Sequence, residues 1–331
     1  MRVLITGSEG FIGSHLLEKL VKKGLKVRAF TQYHFQNNRG CIEDIDKKLL
    51  KNVEVISGDL RDPFEMNLAT KKCDYVVNLA ALIGIPYSFK APKNYFDTNV
   101  LGTMNILEAS KKNNVKKIIL TSTSEVYGTA QSIPIKEDHP LNSQSPYAAS
   151  KISSDFLGLS YFYSYKLPIT ILRPFNTFGP RQSARAIIPS ILIQVLDDKK
   201  IIELGNLSPT RDFNYIDDTT EAFYKTLSSK SNLNGKIFNV CSRYEISISR
   251  ICYLIQKITK KQFYIKKKLL RTRSKTTEVQ RLLGDNRKII KHLKWKPKYA
   301  KEKGFIEGLK KTISWFKNNE NLSKYKQSYN L

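Results

Sequence analysis

The chain reads as an α/β protein: a doubly wound parallel sheet followed by a smaller C-terminal lobe. Three features of the sequence point there. Short apolar runs rich in Val and Ile recur with amphipathic helical patterns between them, the alternation expected of βαβ units. A glycine-rich turn follows the first of these runs. Beyond Pro174 the alternation loosens, with Gly179-Pro180, Pro189, Gly205 and Pro209 punctuating it, as at the start of a second lobe.

Taken in order, strands are expected at 3–5, 27–30, 53–56, 75–79, 118–121 and 170–172. After the first, Ile12, Leu16, Leu17, Leu20 and Val21 make one apolar helical stripe, closed by Gly24 as a C-cap. Val100, Met104 and Leu107 mark a further helix, and another runs from about 146 to 165. The segment 237–240 reads as a buried strand that returns to the sheet after the second lobe has begun. Phe305, Ile306, Leu309, Ile313 and Phe316 have helical spacing, and a polar tail follows.

Composition bounds the class. With 331 residues, 41% hydrophobic and 11% aromatic, the chain has enough apolar material for a large core and is not a disordered chain. The longest apolar stretch, 75–87, is interrupted by Asn78, Gly84 and Pro86, too early for a membrane span. Because a βα motif begins at Arg2, no signal peptide is expected, and the reading is a soluble cytoplasmic protein with reduced thiols. The four cysteines are never closer than eleven positions and the four histidines are equally scattered, so no metal site is expected. The 56 Lys plus Arg exceed the 29 Asp plus Glu by 27, but the surplus lies in short Lys pairs and only 266–273 is dense. That pattern fits a solvated basic surface that steers an anionic substrate, and no nucleic-acid partner is expected.

The glycine turn is Thr6-Gly7-Ser8-Glu9-Gly10-Phe11-Ile12-Gly13, between a strand and a helix. Gly7 permits the tight turn, Gly10 lets the backbone approach a pyrophosphate at the helix N-terminus, and Gly13 lets helix and strand pack closely. This is a Rossmann-type dinucleotide site, and its domain is expected to comprise 1–175 with about 212–242. The substrate-binding lobe is then 176–211 and 243–331. The second strand should end in an acid that holds the adenosine ribose of NAD, yet Phe30 is followed by Thr31-Gln32-Tyr33-His34. Arg28 or Arg39 is available for a 2′-phosphate, so NAD and NADP both stand. Asp59, before Leu60, is placed to accept a hydrogen bond from the adenine amino group.

Tyr147 and Lys151 are four apart on an expected helix and project from one face. A Lys ammonium beside a phenol lowers the phenol pKa and makes it a usable base. Upstream, strand 118–121 runs into Ser122-Thr123-Ser124-Glu125-Val126-Tyr127-Gly128, which puts hydroxyls and a carboxylate at the carboxyl edge of the sheet.

Together with Asn78-Leu79-Ala80-Ala81, Thr98-Asn99, Arg173-Pro174-Phe175-Asn176 and Arg211-Asp212-Phe213, these motifs resemble the extended short-chain dehydrogenase/reductases that act on nucleotide sugars. The resemblance covers almost the whole chain. It implies that Thr123 and Tyr147 bind the sugar 4-hydroxyl, that Lys151 holds the nicotinamide ribose, and that Ala80, Ala81, Leu60 and Asn99 line the cofactor. Asn176 and Arg211 would contact the diphosphate, with Ser124 and Arg185 also on the substrate. Homodimerisation through helices near 99–112 and 146–165 is implied too, with Phe156, Tyr161 and Tyr163 exposed for it.

Glu125 decides the chemistry. A 4-keto group acidifies the C5 proton, and a carboxylate two residues past Thr123 can remove it, so that the 6-hydroxyl leaves and hydride returns at C6. The cofactor, tightly bound, is regenerated each cycle. The stretches 80–88, 121–130 and 182–186 resemble the dehydratases of legionaminic acid synthesis, which process a nucleotide-linked N-acetylglucosamine carried on UDP or GDP. On that likeness Ile83 to Pro86 would wall the 2-acetamido side. Ser124-Glu125 also resembles UDP-glucuronate decarboxylases, and a 4-epimerase is the further alternative.

Overall fold

The computed structural model describes residues 1–268 and 278–325. Elements follow the expected alternation. The first half runs β1 (Arg2–Thr6), α1 (Phe11–Lys22), β2 (Lys26–Gln32), α2 (Lys47–Leu50), β3 (Glu54–Gly58), α3 (Pro63–Thr70), β4 (Tyr75–Asn78), α4 (Ile85–Lys90), α5 (Pro92–Tyr95), α6 (Gly102–Lys112), β5 (Lys117–Thr121), α7 (Pro146–Tyr165) and β6 (Ile169–Pro174). The rest comprises β7 (Asn176–Phe178), α8 (Ile187–Leu196), β8 (Ile201–Leu204), β9 (Thr210–Tyr215), α9 (Ile216–Ser228), β10 (Lys236–Val240), β11 (Glu245–Ser247), α10 (Ile248–Thr259), β12 (Tyr264–Lys267), β13 (Arg281–Leu282), α11 (Arg287–Leu293), α12 (Lys301–Lys317) and α13 (Asn319–Leu322).

Seven strands form one parallel sheet in the order β10-β6-β5-β4-β1-β2-β3, a Rossmann fold. The period of two along each strand divides its side chains between two apolar layers. Val3, Ile5, Val77 and Ile119 meet α1, α9 and α11 on one face, while Leu4, Val76, Ile118 and Leu120 meet α3, α6 and α7 on the other. The returning strand β10 pairs with β6, with Ile237 opposite Ile171. A third apolar cluster, from Phe178 through α8, α10 and α12, underlies the small sheets around β9 and β8. No helix among the described residues is long and apolar enough to cross a membrane.

Local signals explain the boundaries. Ser145 caps α7 by accepting from the Ala148 amide, Pro146 occupies its first position, and Lys166 ends it in the left-handed conformation. Gly24 closes α1 at φ +77° with its amide on Val21. The expected helix around Val100 instead begins with a π-helical turn, Phe96–Leu101, before α6. The dense basic run falls partly outside the described residues, which exclude Arg271 and Arg273.

Candidate active site

The glycine turn is clamped between β1 and β4. The Thr6 hydroxyl donates to Asn78 Oδ1 at 2.6 Å and accepts from the amides of Leu79 and Ala80 at 3.2 and 3.1 Å. This draws the end of β4 onto Gly7, where φ is +67° and a Cβ would lie 2.8 Å from Ala80 N. At Gly13 a Cβ would meet Gly7 O at 2.1 Å, so only glycine lets α1 approach this closely. The start of α1 has neither a side-chain cap nor an acid in its first turn, leaving its amides to an external anion. These features fit a dinucleotide pyrophosphate. Phe11 and Ile12 lean on the apolar cluster formed by Phe178, α8, α10 and α12.

On the adenosine side the structure corrects one expectation. Arg28 is buried in β2 and faces away from any 2′-phosphate, donating to the carbonyls of Ala69 and Lys71 at 2.7 and 2.8 Å and pairing with Glu54 at 3.0 Å. It anchors the end of α3. Arg39 is exposed. The Asp59 carboxylate is gripped by the Arg61 guanidinium, and Leu60 packs in the core against Gly102. Asn99 is buried and directs its amide to the backbone of Leu82 at 2.8 and 3.0 Å and to Ser150 at 2.9 Å, fixing the 80–84 loop to α7.

The groups expected to react converge at the carboxyl ends of β4 and β5. Ser122 donates to Asp155 at 2.8 Å, and extended Thr123 accepts from the Glu125 amide at 3.2 Å, opening a short 3-10 turn at Ser124–Tyr127. Ser124 is buried. From α7, Tyr147 reaches the Thr123 hydroxyl as a hydrogen-bond partner, and Lys151 donates to the Thr121 carbonyl. One helical turn on, Asp155 pairs with Arg173 at 2.9 Å, both buried.

The electrostatics differ from the sequence expectation. Burial pushes the Tyr147 phenol well above its usual range, the Thr123 hydrogen bond opposes the rise, and the nearby Glu125 carboxylate reinforces it. The Lys151 ammonium is bonded to the Thr121 carbonyl. Burial brings Lys151 itself down to about 8, against the opposing pull of Asp155.

Beside these groups Ala81, Leu82, Ile83, Gly84, Tyr87, Tyr95 and Arg185 line a cleft of about 290 Å³. Tyr95 donates to the Gly84 carbonyl and sets its ring edge against Tyr147, centroids 6.2 Å apart. Neither Tyr95 nor Asp155 was marked by the sequence motifs. Asp155, four residues past Lys151, could have been found from helical spacing; Tyr95 carried no such signal. Beyond β6, Asn176 Nδ2 and Gln182 Oε1 are buried without a partner among the described residues, the state expected of groups that meet a ligand. Arg211 donates to Thr210 O at 2.9 Å and to Glu278 at 3.4 Å.

Known proteins resemble this chain over nearly its whole length. The family described as GDP-mannose 4,6 dehydratase matches residues 4–307. A dTDP-D-glucose 4,6-dehydratase of Homo sapiens is 31% identical over 325 residues, 96% of this chain and 90% of the relative. A UDP-N-acetyl-alpha-D-glucosaminuronate decarboxylase of Bacillus cytotoxicus is 31% identical over 334 residues, 97% of this chain and 99% of its own. The crystal structure of DesIV, a dTDP-glucose 4,6-dehydratase of Streptomyces venezuelae with NAD bound, superposes with a TM-score of 0.88 at 26% identity, covering 98% of this chain and 99% of that one.

Proposed function

The chain belongs to the GDP-mannose 4,6-dehydratase family of extended short-chain dehydrogenase/reductases, and we propose that it is an NAD-dependent nucleotide-sugar 4,6-dehydratase acting on UDP- or GDP-N-acetylglucosamine, as in legionaminic acid synthesis. The observation that carries this reading is the convergence of Thr123, Tyr147 and Glu125, with Glu125 near enough to raise the phenol's pKa. NAD, when bound, would supply the hydride acceptor needed at C4 and the hydride donor needed at C6.

The protein groups handle the protons. Thr123 and Tyr147 hold the sugar O4, and Tyr147 takes its proton as C4 becomes a ketone. A cationic cofactor ring held at this site would oppose the rise in the phenol pKa. Lys151 orients the nicotinamide ribose. Glu125 then removes the C5 proton, now acidified by the ketone, and hands a proton to the departing 6-hydroxyl, so that water leaves and a C5–C6 double bond forms. Ile83 to Pro86, of which Ile83 and Gly84 line the cleft, would wall the 2-acetamido group, with Arg185 at the substrate and Asn176 and Arg211 at the diphosphate.

A second reading is supported by Arg185. It is the cation of the cleft beside Tyr95, where a uronate carboxylate would be met, so decarboxylation after C4 oxidation is the alternative, and 4-epimerisation the third. Mass spectrometry after incubation with UDP- and GDP-N-acetylglucosamine and UDP-glucuronate separates them: loss of water supports dehydration, whereas loss of carbon dioxide or an unchanged mass overturns it.

The division of labour proposed is a cofactor domain of 1–175 with about 212–242 and a substrate lobe of the remainder. We also propose a homodimer. Phe156 and Tyr163 are exposed on α7, and Leu101 and Met104 are exposed beside it; Tyr161, expected with them, is buried with its hydroxyl on Glu108 and serves the core. Free thiols at Cys41, Cys73, Cys241 and Cys252 accord with a cytoplasmic setting.

A further inference from the structure

Strand β2 ends at Gln32, about 20 residues past the glycine turn, where an acid ordinarily holds the adenosine ribose. Neither Gln32 nor the two residues after it can do so as a carboxylate. A carboxylate nevertheless reaches that strand end from elsewhere. Glu9, inside the glycine turn, accepts the Gln32 amide on Oε1 at 3.1 Å. Its other oxygen, Oε2, is buried and has no donor among the described residues.

The residue is held in place from its own backbone. The Glu9 carbonyl accepts the Cys41 amide at 2.8 Å, and Gly40, at φ +56°, lies so close that a Cβ there would sit 2.7 Å from that carbonyl. No cation answers the charge: no ion pair to Glu9 is present among the described residues, and Arg28 is occupied by Glu54 and the end of α3. Burial accordingly pushes the Glu9 carboxyl up. A buried carboxylate oxygen with no donor, at the end of β2, matches the requirements of a ribose hydroxyl.

We propose that Glu9 accepts the 2′-hydroxyl of the cofactor's adenosine ribose in place of the missing strand-end acid, and thereby makes the protein selective for NAD over NADP. The inference rests on the dinucleotide-binding reading above. The hydroxyl donates to Oε2 and completes its hydrogen bonding. A 2′-phosphate offers no donor there and brings negative charge against an uncompensated carboxylate.

The test is calorimetric titration of the cofactor-stripped enzyme with NAD, NADP and 2′-deoxyadenosine NAD, on the unmodified protein, Glu9→Gln and Glu9→Ala, with thermal melts to confirm folding. The unmodified protein should bind NAD roughly 10- to 100-fold more tightly than the deoxy analogue, the range for a hydrogen bond to a charged group. In Glu9→Ala that ratio should fall to near one, and in Glu9→Gln the preference for NAD over NADP should shrink at least about tenfold. Because the deoxy analogue probes the unmodified enzyme, the proposal stays testable if a variant misfolds. Equal affinity of the unmodified enzyme for NAD and its deoxy analogue overturns the role of Glu9 while leaving the dinucleotide site standing. Failure of the unmodified enzyme to bind any of the three overturns both.

Discussion

Replacing Gly13 by alanine tests the cofactor cradle most directly. The added methyl would lie 2.1 Å from Gly7 O, 2.8 Å from Ser8 Cα and 2.9 Å from Gly7 C. All three are backbone atoms, so no rotamer relieves the clash, and α1 must move outward by about 1 Å or more to restore ordinary contact distances near 3.5–4 Å. Gly7 O also accepts the Gly10 amide at 3.1 Å, so the same shift strains the turn that presents the helix amides. Overpacking of this kind costs about 1–3 kcal/mol and occasionally more. Alanine's better helix propensity returns about 1 kcal/mol. The expected net loss is up to about 2 kcal/mol, and cofactor affinity should fall at least about tenfold, since misplacing positioned groups by an ångström is that damaging. Gly24→Ala is the control: at φ +77°, with nothing within 4 Å of its Cβ position, it carries only the left-handed strain of about 1–2 kcal/mol, and NAD binding should be unchanged. Guanidinium unfolding and NAD titration of both variants decide the matter. If Gly13→Ala binds NAD as tightly as Gly24→Ala, the close helix approach is not what shapes the site.

Tyr147→Phe should abolish C4 oxidation with KM nearly unchanged, because the phenol serves the transition state; near-normal kcat would remove it from the mechanism. Glu125→Gln should reduce the cofactor, visible in near-ultraviolet absorbance, without water loss, and full dehydration by this variant would return the epimerase and decarboxylase readings. Lys151, lowered to about 8 from the usual 10.5 of a lysine, is charged below that pH and neutral above it, so NAD affinity should decline as pH rises through about 8, and Lys151→Met should flatten the profile. Arg173→Met should destabilise by about 3–5 kcal/mol by leaving Asp155 buried and unpaired, measured by denaturant unfolding, with part of the loss restored by adding Asp155→Asn.

Legibility followed local encoding. The helix expected at about 146–165 was legible because its start is written locally, as Pro146 after a capping Ser145; its end, at a left-handed Lys166, carries no such signal. The glycine turn and the Tyr147 and Lys151 pair were legible because each is a fixed spacing on one element. The fate of Arg28 was not: its charge suggests a ligand, and only the tertiary placement of the α3 end shows it bonded to carbonyls. Tyr161 was misplaced on the surface although it lies seven residues past Ser154, on the buried stripe, whereas Phe156 and Tyr163 share the opposite face. Tyr95 reaches Tyr147 across a break in regular α-helix, which periodicity cannot follow.

The position of β10 sets the order in which the polypeptide becomes safe from aggregation. Every residue of β6 is buried in the finished sheet, and its outer edge is paired with residues 236–240. On the ribosome, strands through β6 emerge well before their neighbour, while the second lobe's first strands and helices are still being made. Throughout that interval Ile169, Ile171 and Leu172 form an open strand edge of high β propensity. A nascent chain stopped short of Val240, or a fragment cut near 175, therefore carries a sticky edge that the full-length chain hides, so it should need chaperone protection that the finished protein does not.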